Sequence, residues 1–429
     1  MTPFMKKFLK ILGSILLLLL IIIGVYYFIN NEPIPEGKKG KEADALATKM
    51  LMTLNNEAYD DTEVLEWSFR GEHFYKWNKQ ESIVDVSWDT NKVVLYTNQP
   101  KKSKVFVGDK EVDNPELIKK ATHFFNNDSF WLVAPYKVFD AGTERRIVKH
   151  NGKDALLITY TSGGSTPGDS YLWILDDTGF PTSYKMWTKI IPIGGVEASW
   201  SDWKMTSSGI QIPTKHTISL FGGMQLDMGD VKATNPKADA LAHKILNAIK
   251  HDAYQKTNYL EWSFGGKRHY KWNKKDHIVD VSWDTIRVNL YPNNMEKSTI
   301  FFNEKLQKTA DEKLVKKAEK LFNNDSFWLI APHKLFESGI VRTFKKVDGK
   351  DALLVKYTTG GTTPGDSYLW ILDENNIPES YKMYVPSMNM KGVFATWEDW
   401  ITTESGTLLP TNHSFENGRK LSMGTVKGY

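Results

Sequence analysis

The sequence predicts an α+β protein, mainly antiparallel β: two tandem curled sheets, each accompanied by helices, preceded by one transmembrane helix. Three observations carry this expectation. Residues 11–29 hold no charged side chain. Whole blocks of the chain recur at offsets of 195 and 197 residues. Apart from two helical stretches in each repeat, apolar and polar residues alternate with period two and break at short turns, as half-buried strands do.

The uncharged run of 19 residues is long enough to cross a hydrocarbon core of ~30 Å at about 1.5 Å per residue. Lys6, Lys7 and Lys10 precede it, and Tyr26, Tyr27 and Phe28 lie at its far end, where an aromatic belt belongs. It ends without a small-x-small cleavage site, so an uncleaved signal anchor is expected. Residues 1–10 then form a cytoplasmic tail, 11–29 the span and 30–40 a short tether. The basic tail favours the N-terminus inside, although Lys38, Lys39 and Lys41 follow the span. The body is accordingly expected in the periplasm or another extracytoplasmic space. The 429 residues include no Cys, which excludes disulfides, thiolate metal sites, a Cys nucleophile and lipid attachment through an N-terminal Cys. The net charge is +4, and residues 1–40, with five Lys and two Glu, account for +3 of it. A body carrying only +1 has no footprint for nucleic acid. With 41% hydrophobic and 13% aromatic residues, the chain is not a disordered one.

Residues 83–90 recur without change at 278–285, 126–132 at 323–329, and 160–176 at 357–373 with two Ser-to-Thr exchanges. Of the 15 Trp, seven pairs match, and only Trp187 lacks a partner, Tyr384 standing in its place. The repeats run over 41–233 and 237–429. Each is domain-sized, unlike the ~20–50-residue units of a solenoid. Within each, Leu46, Met50, Leu54 and Ala58, or Leu241, Ile245, Ile249 and Ala253, fall four apart and predict a first helix. A second is expected over 115–126, with Pro115 in its first turn. Asn151-Gly152 and Asp348-Gly349 are hairpin signals. About ten or eleven strands are expected per repeat, a number at which an open sheet curls.

The sites follow from unusual local sequence. The loop 163–169, with Gly164 and Asp169, and its copy 360–366, with Gly361 and Asp366, reads either as a cradle of backbone N–H groups or as a wide hairpin connection. It lacks the Lys-Ser/Thr ending of a phosphate-binding loop and runs into a strand. Ser170, His216 and a nearby Asp could be drawn as a nucleophile, base and orienter, yet no Gly-x-Ser-x-Gly elbow exists. Ten His without ligand spacing mark no metal cluster. No catalytic residue, cofactor or metal site is therefore assigned. Phe130, Trp131, Leu132 and Pro135, with Lys137 at their edge, read either as the lining of an apolar cavity or as core, and Trp328 and Lys334 repeat them. In Trp200-Ser201-Asp202-Trp203 and its copy ending at Trp400, three-residue spacing in a strand puts the two Trp on opposite faces. Trp203 and Trp400 thus become candidates for a binding surface.

An N-terminal helix followed by a long antiparallel meander, Phe-Trp-Leu-x-x-Pro at 130–135 and 327–332, a Tyr-Leu-Trp-Ile-Leu-Asp strand, and the Trp-x-Asp-Trp…Gly…Pro stretch at 200–213 and 397–410 carry a resemblance. Each repeat resembles a family of uncharacterised bacterial envelope domains similar to the periplasmic lipoprotein-carrier (lipoprotein localisation factor) fold. The resemblance implies unclosed barrels with helices across the concave face, enclosing an apolar cavity for acyl chains. It carries over no catalytic residue. Two units and an apolar span depart from the soluble carriers, so free shuttling is not implied. The leading expectation is a membrane-anchored envelope protein binding a lipid or other apolar ligand in each unit, with Lys137, Lys334 or the Gly-rich loops meeting a polar head. The alternatives are a non-catalytic scaffold or sensor gripping an envelope protein partner and, behind it, a hydrolase.

Overall fold

A computed structural model of the chain describes residues 3–163, 166–220, 223–308, 311–359 and 364–429. It divides into two compact units, Met1–Thr234 and Asn235–Tyr429. Helix α1 (Pro3–Asn30) comes first. Its stretch Lys10–Asn30 is long and apolar enough to cross a membrane by length and composition.

In unit 1, α2 (Lys41–Thr53) and α3 (Asn56–Asp61) take up the segment read from sequence as one helix. The stripe is broken at Asn55, whose φ of 59° is left-handed, a conformation that Asn tolerates better than most residues. A seven-stranded antiparallel sheet follows, in the order Lys232–Thr234, Val64–Phe69, His73–Asn78, Ile83–Trp88, Asn91–Tyr96, Lys104–Val107 and Lys110–Val112. The chain leaves this sheet at its last edge, passes through α4 (Pro115–Val133), and enters a second antiparallel sheet at Thr143–His150. That eight-stranded sheet continues through Lys153–Tyr160, Ser170–Leu175, Pro181–Trp187, Val196–Ser199 and Gln211–Ile218. Ser201–Met205 and Met224–Asp227 both pair with Gln211–Ile218. Where one sheet was expected, pairing thus defines two. They meet through Ser68 N donating to Met228 O (3.1 Å) and Arg70 N to Asp227 O (2.8 Å). Asn151 and Gly152 take φ of 49° and 79°, as the two-residue hairpin between His150 and Lys153 requires.

One core joins helices and sheets. Met50 and Leu54 from the first helical segment and Phe125 and Leu132 from α4 pack with Trp67, Tyr75 and Trp88 of one sheet and Trp173 and Tyr184 of the other. Trp67 and Tyr75 are directly paired across strands and stacked at 4.6 Å.

Unit 2 has α5 (Pro236–Ala248), α6 (His251–Lys256) and α7 (Glu312–Ile330), again with a left-handed residue, Lys250, between its first two helices. A seven-stranded sheet repeats the pairing, Trp262 opposite Tyr270 for Trp67 opposite Tyr75. A five-stranded sheet runs from Ile340–Val347 to Met390–Thr396, and two short hairpins replace the remaining strands. Both units are thus mainly antiparallel β with unclosed sheets.

Candidate functional site

The site begins with the way α4 is fixed. Asn114 caps it, its Oδ1 accepting from Leu117 N at 3.2 Å, and Pro115 occupies the first turn. The sequence expectation ended this helix at 126, and the residues there, Asn126-Asn127-Asp128-Ser129, are poor helix formers that favour caps and turns. In the structure it continues to Val133. Asp128 supplies the reason. At 1% exposure it accepts from Tyr75 OH (2.5 Å), His73 Nδ1 (2.7 Å) and Asn127 Nδ2 (2.8 Å), so tertiary hydrogen bonds override local propensity. Burial and this carboxylate drive the Tyr75 hydroxyl far above its ordinary pKa, keeping it a donor.

With α4 pinned at Asp128, the next residues lie against the second sheet. Phe130 packs on Tyr171 at 4.4 Å, and Trp131 on His216 at 5.5 Å. Beside them is a cavity of about 520 Å³, within the range of small-molecule sites. Phe130, Trp131, Tyr160, Tyr171, Met186 and Ile191 supply much of its wall. Lys137, Asp140, Thr166 and Asp169 are among its polar members, with Asn126, Asn127 and Ser129 of α4 also on the lining. The Lys137 ammonium is paired with Asp140 Oδ2 at 2.5 Å. Asp169, buried, accepts from Thr166 Oγ1 (2.6 Å) and from Lys189 N (3.0 Å). It fastens the loop to the next strand connection. Tyr160 OH is buried and has no hydrogen-bond partner among the described residues. Burial raises the Tyr160 and Tyr171 hydroxyls well above their usual range, so both stay neutral.

The structure thus brings Trp131, Lys137 and Asp169 together around one cavity. Gly164 lies outside the described residues, as does Gly361. Trp203 is not among the cavity residues. The opposite-face expectation for Trp200 and Trp203 does not hold: their rings are 6.3 Å apart in one cluster. Asp202 between them has a φ of 50°, left-handed, which breaks the alternation of an extended strand. Asp399 (φ 52°) sits at the same place in unit 2, where Trp400 is half-buried and its Nε1 donates to Pro378 O at 3.2 Å. Trp328 packs against His413 at 5.4 Å, Lys334 pairs with Glu337 at 3.0 Å, and Asp366 is buried.

Ser170 and His216 are not brought together by a hydrogen bond. Ser170 Oγ shares one with Thr159 Oγ1 at 2.9 Å, while His216 Nδ1 donates to Ser199 O at 3.1 Å. Burial pulls His216 down to about 4. Among the described residues no group of three or more His, Asp or Glu side chains is placed to hold a metal ion.

Two features escaped the sequence reading. One is the Asp128 cluster, two of whose three donors lie 53 and 55 residues away. The other is the tether, which does not hang free. Lys38 forms an antiparallel bridge with Ile147, and Trp187 Nε1 donates to Glu32 O at 2.7 Å. The unmatched Trp187 was the one available signal for it.

No family model matches the sequence, and no curated protein does. Among solved structures, a DUF1329 family protein from Desulfovibrio piger is similar over 46% of this chain and 94% of its own, at 11% identity and a TM-score of 0.28. A domain from Vibrio parahaemolyticus assigned as an outer membrane lipoprotein-sorting protein is similar over 44% of this chain and 93% of its own, at 10% identity and a TM-score of 0.22.

Proposed function

We propose that the chain is a membrane-anchored envelope protein that binds a lipid or another apolar ligand, without catalysing a reaction. α1 serves as the anchor, with the N-terminus cytoplasmic and the two units outside. Each unit is one copy of a duplicated, unclosed barrel with helices across its inner face. The observation that carries the reading is the aromatic-walled cavity between α4 and the second sheet of unit 1. An acyl chain gains on the order of 0.8 kcal/mol per buried methylene. A dozen methylenes thus contribute about 10 kcal/mol before the costs of ordering the ligand. Lys137, on the cavity lining and paired with Asp140, offers hydrogen bonds to a polar head.

Native mass spectrometry of the full chain released from lipid nanodiscs, followed by organic extraction, tests this. A retained lipid that survives delipidation of the belt supports the reading and gives the ligand class. A clean protein mass, with no uptake of added phospholipid or fatty acid, refutes it.

A further inference from the structure

The tether contacts place unit 1 with respect to the end of α1. Asn31 and Glu32, the first two residues beyond the helix, are bonded to the loop that follows Pro181–Trp187. Gly194 N donates to Asn31 Oδ1 (2.8 Å), Glu32 N donates to Gly194 O (2.9 Å), and Lys185 Nζ reaches both Glu32 carboxylate oxygens at 2.7 and 2.8 Å. Only glycine fits at this seat. A Cβ on Gly194 would stand 2.5 Å from Trp187 Cδ1 and 2.6 Å from Glu32 O. Unit 2 cannot make the same seat, since Tyr384 replaces Trp187 and Lys391 replaces Gly194.

Two residues of extended chain span about 7 Å at most. Bilayer headgroups occupy roughly 5–8 Å beyond each side of the hydrocarbon core. Gly194, fastened to Asn31 and Glu32, is therefore held at the headgroup layer of a membrane spanned by α1, and the loop that it ends starts from there. Its sequence suits that place: Ile190 is 66% exposed, next to Lys189, and Ile191 and Ile193 follow. Ser387 and Asn389 stand at the matching positions of Ile190 and Pro192 in unit 2. The same loop contributes Thr188, Ile190 and Ile191 to the cavity wall.

We infer that residues 188–193 of unit 1 lie in the headgroup layer of the anchoring membrane, and that the unit 1 cavity opens there, receiving a lipid chain directly from the adjacent leaflet. This rests on the anchor and cavity proposed above. Unit 2 lacks the residues of this seat.

The chain lacks Cys, so a single introduced thiol takes a fluorophore uniquely. Ile190→Cys and Tyr27→Cys variants of the full chain are labelled with an environment-sensitive dye in phosphatidylcholine–phosphatidylglycerol vesicles carrying a shallow spin-labelled lipid quencher. Quenching at both positions is expected. Adding Gly194→Lys to the Ile190→Cys variant should abolish quenching at 190 while far-UV circular dichroism stays unchanged. Quenching at 27 with none at 190 overturns the placement and leaves the anchor standing. No quenching at 27 removes the anchor and the placement with it. Quenching at 190 that survives Gly194→Lys also overturns the inference, because the seat would then not set the loop's position.

Discussion

Replacing Arg268 by Ala tests what holds a buried carboxylate in unit 2, and the duplication supplies its control. Asp325, at 0% exposure in α7, accepts from Arg268 Nε (2.5 Å) and Nη2 (2.9 Å), from Tyr270 OH (2.5 Å) and from Asn324 Nδ2 (2.8 Å). Removing the guanidinium leaves a buried charge with neutral donors only, a change that costs about 3–5 kcal/mol. For a unit of this size, each kcal/mol shifts Tm by about 2–4 °C, so the unit 2 transition should fall by about 6–20 °C. In unit 1 the matching position is His73, which gives Asp128 a single hydrogen bond. His73→Ala should cost about 1–3 kcal/mol. Calorimetry of the full chain measures both losses, and hydrogen exchange read by mass spectrometry assigns each to its unit. Combining Arg268→Ala with Asp325→Leu removes the stranded charge and should recover most of the loss. The reasoning is refuted if Arg268→Ala costs no more than His73→Ala, or if the double variant is no more stable than the single one.

Other expectations follow from single sites. Trp131→Ala opens the wall between the cavity and His216 and should lower lipid retention in native mass spectra, whereas Trp203→Ala, outside the wall, should leave retention unchanged; equal effects would count against the cavity. Gly229 (φ 67°) and Gly424 (φ 63°) each face a serine, Ser68 and Ser263, that an added Cβ would overlap. Gly229→Ala or Gly424→Ala should therefore destabilise its unit by about 1–3 kcal/mol in denaturant titrations. His216 is held neutral with a pKa of about 4, below the 6.5 of an unfolded chain. Its share of stability is present above pH 6.5 and is lost as pH falls towards 4, because the unfolded state takes up the proton first. The stability–pH curve of a His216→Gln variant should be flatter than the parent curve over that interval.

Period-two alternation and paired turn residues made the strands legible, and Asn151-Gly152 marked its hairpin because both residues must take positive φ. The four-residue stripes at Leu46 and Leu241 located the first helices but not their breaks, since a left-handed Asn55 or Lys250 leaves no trace in hydrophobic spacing. Helix α4 was cut short for a different reason. Its polar run is stabilised by partners on a distant strand, and local propensity carries no information about Tyr75 or His73. The same limit applies to the site. Trp131, Lys137 and Asp169 were reachable because they stand in odd local sequence, while Tyr160, Met186 and Ile191 read as ordinary strand and loop residues. The opposite-face expectation for Trp200 and Trp203 failed on one backbone angle, at Asp202, that no side-chain pattern records.

The strand Lys232–Thr234 pairs with Val64–Phe69, so the last segment of unit 1 completes a sheet begun 170 residues earlier, Val64 lying opposite Thr234. Lys427–Gly428 does the same for Tyr259–Phe264. A nascent chain at 5–20 residues per second therefore holds one edge of its first strand unpaired for roughly 10–30 s in each unit. During that interval the edge is open to pairing with another chain. Because unit 1 closes at Thr234, before most of unit 2 has been made, the two vulnerable periods fall one after the other. Aggregation of a slowly synthesised chain should thus be set by the strand still waiting for its partner, not by the total length of β-sheet to be formed.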